Sequence, residues 1–173
     1  MLALGLLLAG CGGDDDGGDG DGKSRKGSAS GTGYSLVLAP GWTDATKNAE
    51  GSVIRFDLLI GKKGGSFNTN VNIIREKLPD EASLEDLRKI YRGQLNSVGA
   101  KNISGTRAAA VDDAEAFTYE YDQQGPTGEQ IHGRQVAVVH DGYSHTITLT
   151  ALTTKFDAVN QEFSEMLRSW RWN

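Results

Sequence analysis

Cysteine is almost absent from this chain: Cys11 is the only one among 173 residues. A lone thiol forms no disulfide within the chain and no Cys-based metal site, so the fold must rest on its core. Long apolar runs are missing too. The run Leu2, Ala3, Leu4, Leu6, Leu7, Leu8 falls far short of the roughly 20 residues a helix needs to cross a bilayer. No basic cluster occurs, and 18 Lys and Arg face 23 Asp and Glu for a net charge of -5. That balance excludes the electrostatic footprint of a nucleic-acid binder and argues against direct attraction to anionic lipid. Catalytic signatures are likewise wanting. No serine sits in a Gly-x-Ser-x-Gly elbow. The glycine-rich stretch 61–66, beside Lys62 and Lys63, lacks the spacing of a phosphate-binding loop and is expected to be a hairpin loop. No enzyme activity and no cofactor are implied.

What is present starts at the amino end. The short apolar run followed by small residues has the form of a secretory signal. Leu8-Ala9-Gly10-Cys11 resembles the lipobox of bacterial lipoproteins. In that family the cysteine thiol takes a diacylglyceryl group, the chain is cut before it, and the new amine is acylated. The resemblance implies a signal peptide at 1–10 and a lipidated Cys11 as the mature amino terminus. It places the protein on the extracytoplasmic face of the cell membrane, held by two or three acyl chains, enough for stable anchoring. A secretory signal opens with a positive segment, and no Lys or Arg precedes Cys11, so the start codon is expected upstream of Met1.

Residues 11–33 form a lipidated cysteine and a tether. After Cys11 come five aspartates among glycines, then Lys23-Ser24-Arg25-Lys26 and a Gly/Ser/Ala/Thr stretch. Without large apolar side chains this segment cannot offset the entropy of ordering. A flexible chain of this length spans about 25 Å. Asp14 and Asp16 match the first two ligands of a calcium loop, but Gly18 fills the third, so a solvated spacer is expected. The tether carries -2 of the net charge and the remainder -3. Residues 34–173, about 140 in all, suit one domain with a real core.

Along that domain the pattern predicts strands at 34–38, 53–60 and 71–75, where charged and apolar residues alternate. Ser83, with Asp86 three residues on, predicts a capped helix. Its apolar face is Leu84, Leu87, Ile90, Tyr91, Leu95 and Val98. Strands are expected near 102–106 and at 116–121. Asp141-Gly142 suits a two-residue primed turn between 135–140 and 143–150. That turn pairs His140 with Tyr143, Val138 with His145 and Val136 with Ile147. Val136, Val138, Ile147 and Leu149 should face the core, with Ser144, Thr146, Thr148 and Thr150 opposite. A second helix, 156–168, carries Phe156, Val159, Phe163, Met166, Leu167 and Trp170 on one stripe. Three strands, a helix, four strands and a helix give an α+β layered domain.

Three stretches resemble the PsbP-like superfamily, which includes the Ran-binding Mog proteins. They are Gly33-Tyr34-Ser35-Leu36 running to Pro40-Gly41-Trp42, then Asn70-Val71-Asn72-Ile73-Ile74 before Leu78-Pro79, and the closing Leu167-Arg168-Ser169-Trp170-Arg171-Trp172. Within it the chain is most similar to the actinobacterial LpqN-type lipoproteins. The resemblance implies an α/β/α sandwich, a mostly antiparallel sheet of about six or seven strands flanked by two main helices. It implies a non-enzymatic binding or assembly module of the cell envelope, with an envelope protein or a small apolar ligand as partner. A lipid carrier is the alternative, a hydrolase a remoter one.

The candidate site residues follow from this. Trp42, Tyr34 and Phe67, near loops and chain ends, are candidates for interaction, since Trp and Tyr dominate binding hot spots. His140 and His145 fall on one face of the hairpin, with His132 further down and Asp141 adjacent. They are the metal candidates, but a structural zinc site takes four ligands, so ordinary histidines at the solvent edge are expected and no metal. Asp112, Asp113 and Glu115 read as a solvated acidic turn. Asp57, Glu76, Glu120 and Asp122 lie on strands, with no sign of a shared cleft.

Overall fold

Ten strands and two helices follow one another among the residues described by this computed structural model: 27–62, 67, 69–80, 82–105 and 107–173. In order they are β1 (Ser28–Gly31), β2 (Tyr34–Val37), β3 (Trp42–Asp44), β4 (Leu58–Lys62), β5 (Thr69–Lys77), α1 (Leu84–Ser97), β6 (Arg107–Val111), β7 (Ala114–Gln124), β8 (Gln130–His140), β9 (Tyr143–Leu152), α2 (Phe156–Arg168) and β10 (Arg171–Trp172). The signal segment, Cys11, the tether up to residue 26, and 63–66 of the glycine-rich loop lie outside the described residues.

The central hairpin is dictated locally. Asp141 and Gly142 adopt φ of 49° and 75°, the left-handed backbone that a two-residue primed turn needs. The register is His140↔Tyr143, Val138↔His145 and Val136↔Ile147, as the turn requires. Because side chains alternate, Val136 and Val138 face one side and Ala137 the other. The two sides belong to different cores. Val136, Val138, Ile147 and Leu149 pack with Phe156, Val159, Phe163 and Met166 of α2. Ala137, Phe117, Tyr119 and Tyr121 pack with Leu87, Tyr91 and Leu95 of α1. A seven-stranded antiparallel sheet, ordered β3-β4-β5-β9-β8-β7-β6, therefore has a helix on each face. Helix α1 begins with the expected capping box: Ser83 Oγ accepts from Asp86 N, and Ser83 N donates to the Asp86 carboxylate. On the α1 side the hydroxyl row of β9 is buried rather than solvated, and Thr146 meets Tyr91 Oη at 2.7 Å.

Three expectations change. The tether ends earlier than residue 33: Ser28–Gly31 is strand β1, antiparallel to β2, and β2 also pairs with β10 in a small three-stranded sheet. The strand expected over 53–60 begins only at Leu58, and Val53 is 98% exposed. Just before it, the Asp57 carboxylate accepts from Thr32 N (3.0 Å) and Thr32 Oγ1 (2.7 Å) in the β1–β2 turn. The strand expected at 102–106 lies instead at Arg107–Val111, and 102–105 are irregular.

Gly31 shows why β1 belongs to the domain. A Cβ there would overlap the Tyr34 phenol and the Asp57 carboxylate. Gly31→Ala is expected to destabilise the fold by about 2 kcal/mol through overpacking, read as a lower midpoint in urea unfolding. An unchanged midpoint would mean that the hairpin is not packed as described.

Candidate functional site

The small sheet brings an aromatic cluster over one end of the main sheet. β2 supplies Tyr34, β8 His140, β9 His145, and the chain leaving α2 supplies Trp170 and Trp172. Trp170 stacks on Tyr34 with ring centroids 4.0 Å apart and planes 12° apart. Trp172 stacks on His140 with centroids 4.1 Å apart and planes again 12° apart. Between the stacks His145 meets Tyr34 edge-on at 5.6 Å and Trp172 at 5.0 Å. The β5–β9 register sets Arg75 opposite His145, and its guanidinium lies 3.2 Å from the Tyr143 ring centroid. Burial, reinforced by the positive charge of Arg75, holds His145 down to about 4. Burial, and after it the charge of Asp57, pushes the Tyr34 phenol far above its usual range. Both rings are therefore neutral at pH 7.

This arrangement packs; it does not relay protons. Neither ring nitrogen of His145 has a hydrogen-bond partner. His140 Nε2 lies 3.5 Å from Asp141 Oδ2. His132 Nδ1 bonds Asp122 Oδ1 at 2.6 Å and its ring meets Phe156 at 4.1 Å. No group of three or more metal-ligating side chains occurs among the described residues.

The structure corrects the site expectations in several places. His145 is not at the solvent edge but 2% exposed, because β10 brings the two tryptophans over it. Tyr34, Trp42 and Phe67 are all buried, so none presents a surface for docking. Trp42 joins β3 to α2: its Nε1–H donates to Glu162 Oε2 at 2.7 Å, and Lys62 Nζ bonds Glu162 Oε1 at 2.6 Å. Asp112 is no mere solvated turn residue. Its Oδ2 accepts from Trp172 N at 2.9 Å, which fixes β10. Arg75 escaped the sequence pattern, and nothing in it joined Asp57 and Trp172 to the histidines. Only the distant pairings β5–β9 and β2–β10 bring them to the cluster.

These layers and this strand order define a PsbP-like sandwich. The chain is similar in fold to the cyanobacterial PsbP protein (CyanoP) of Synechocystis sp. PCC 6803, with a TM-score of 0.66 and 22% identity, over 96% of this chain and 99% of that one. It is similar too to LpqN of Mycobacterium tuberculosis, a protein involved in cell envelope biogenesis. There the TM-score is 0.67 and the identity 14%, over 84% of this chain and 83% of that one. A Pseudomonas aeruginosa protein of unknown function, PA94, a putative regulator by its description, matches at a TM-score of 0.55 and 13% identity over 64% of this chain and 78% of that one. At these identities the likeness is one of fold. Residues 28–172 match the family model of the serine/threonine kinase C-terminal domain, and the chain belongs to that family. No curated protein matches it.

Two outcomes test the site. Above pH 6.5 His145 is neutral whether the chain is folded or not. Below that the unfolded ring takes up a proton and the folded one does not, so stability falls until the pH reaches about 4 and levels off beneath. His145→Phe, which keeps a ring among rings, is expected to flatten this part of the stability-against-pH curve. An identical slope in the variant would place His145 in water. Glu162→Leu strands the Trp42 indole N–H and Lys62, and is expected to cost about 2 kcal/mol in urea unfolding.

Proposed function

We propose that this chain is a lipid-anchored module on the extracytoplasmic face of the cell membrane that acts in the envelope by binding a partner, not by catalysis. The observation that carries the non-catalytic half is the use of its histidines. His145 is buried and neutral, His140 is stacked on Trp172, and His132 is tied to Asp122. None bonds a serine, threonine or tyrosine hydroxyl among the described residues, so no activated nucleophile is built from them. Family membership accords with this: the matching family is described as the C-terminal domain of a serine/threonine kinase. The anchored half rests on Leu8-Ala9-Gly10-Cys11 behind an apolar run. LpqN, similar in fold, is involved in cell envelope biogenesis, which supports an envelope role here.

An apolar-ligand carrier needs a cavity of roughly 300 Å³ or more. The space beneath α2, walled by Leu36, Val71, Ile147, Phe163, Met166 and Trp170 among others, measures about 10 Å³. That is no more than the room one water needs. That space has no room for an apolar cargo.

The test is fractionation. The parent chain, expressed in a host that processes lipoproteins, is expected to partition with membranes, and Cys11→Ala to move to the soluble fraction. A variant that still sediments fully with membranes would refute the anchor.

A further inference from the structure

The α2-facing side of the main sheet changes character across its width. β5 and β9 present Val71, Ile73, Ile147 and Leu149, all buried. Towards the other edge, beyond Ala116, Val136 and Val138, the same side turns polar where β6 begins, β7 ends and β8 begins. There the register sets Arg107 against Thr118, Glu120 against Arg134, and Asp122 against His132. Cross-strand partners of this kind stand about 5 Å apart at Cβ. Helix α2 walls the strip on one side. Arg134 Nη1 donates to Asn160 Oδ1 at 2.8 Å and to Ser164 Oγ at 3.0 Å. Its guanidinium carbon lies 5.5 Å from the Phe163 ring centroid.

Arg107 and Arg134 share this strip with two carboxylates, Glu120 and Asp122. Asp122 is committed to His132 and to Asn102, whose amide donates at 2.7 Å. Glu120 stands across from Arg134, and neither arginine is ion-paired among the described residues. Burial holds Arg134 below its usual range, opposed by the negative charge of Glu120 and aided to a smaller extent by Arg107. Two donors beside it lack partners. Thr118 is 7% exposed with its hydroxyl unbonded, and Arg134 Nε is buried and unbonded. An unmet buried donor costs about 1–3 kcal/mol. Here two such groups stand at neighbouring positions of adjacent strands, beside an exposed Arg107.

We propose that this strip binds the anionic oxygen group of a ligand, a carboxylate or a phosphate. Arg134, held in place by Asn160 and Ser164, and Arg107, turning in from solvent, grip its oxygens from two sides, and the Thr118 hydroxyl donates from the floor. Charge-assisted hydrogen bonds from guanidinium groups suit planar carboxylates and phosphate oxygens alike. Glu120 at the rim selects against ligands carrying several negative charges close together. This deepens the binding-module assignment and rests on it for its place in the envelope.

The experiment is a titration of the isotope-labelled full chain, followed by NMR, with inorganic phosphate and separately with acetate, chloride holding the ionic strength constant. Saturable shifts at Arg107, Thr118 and Arg134 are expected with at least one anion, and the anion that saturates identifies phosphate or carboxylate as the ligand group. Arg107→Gln lies on an exposed side chain and leaves the fold intact; it is expected to weaken binding at least tenfold. Thr118→Val keeps the shape and is expected to weaken it severalfold. No saturable shift with either anion, or binding undiminished in both variants, would overturn the site. A chain that sediments with membranes yet ignores both anions would lose this binding strip and keep its anchor.

Discussion

The contact of Trp170 with Tyr34 holds together everything on the α2 side of the sheet. Their rings lie parallel at 4.0 Å, and both are essentially inaccessible to solvent. Aromatic pairs of this kind contribute about 0.5–1.5 kcal/mol beyond the area they bury. The larger effect is positional. The stack ties the exit of α2 to the β1–β2 hairpin, so that Arg171 and Trp172 fall into register with Ser35 and Tyr34. Asp112, from the turn between β6 and β7, then accepts the Trp172 amide from the far edge of the sheet. Three segments remote in sequence meet at one aromatic cluster.

That cluster also explains how the chain uses its chemically capable side chains. A histidine with no hydrogen-bond partner, enclosed by Tyr34, Trp170 and Trp172, cannot accept a proton at neutral pH without breaking its surroundings. Trp42 has the same character: its indole N–H and Lys62 converge on Glu162, clamping the β3–β4 edge to α2. The residues most suggestive of binding by type are thus internal fasteners. Surface chemistry is left to less conspicuous residues, among them the arginines of β6 and β8.

Legibility in the sequence followed the range of the interaction. Helix α2 begins and ends where its apolar stripe does, and α1 starts where Ser83 and Asp86 cap one another. The Asp141-Gly142 turn set the hairpin register because a primed turn leaves no freedom to slip. Strand β1 was not legible. Ser28, Ala29, Ser30 and Gly31 have the composition of a linker, and only the approach of Tyr34 and Asp57 to Gly31 shows why small residues stand there. The alanines of β6 carry equally little strand signal. At the site, alternation put His145 on the same side as Val136. Its burial depended on a tryptophan whose amide is held by a residue 60 positions away. Long-range contacts of that sort leave no periodic trace.

The strand order has a temporal consequence. β2, near the front of the domain, lies between β1 and β10, so the small sheet is incomplete until the chain has been made as far as Trp172. Ser35 and Asn173, 138 positions apart, touch through their side chains. Closing so long a loop is slow compared with local pairing. A polypeptide threaded amino end first through a narrow channel would therefore remain unlocked throughout its passage. Its fold would be sealed only once Arg171 and Trp172 had emerged on the far side.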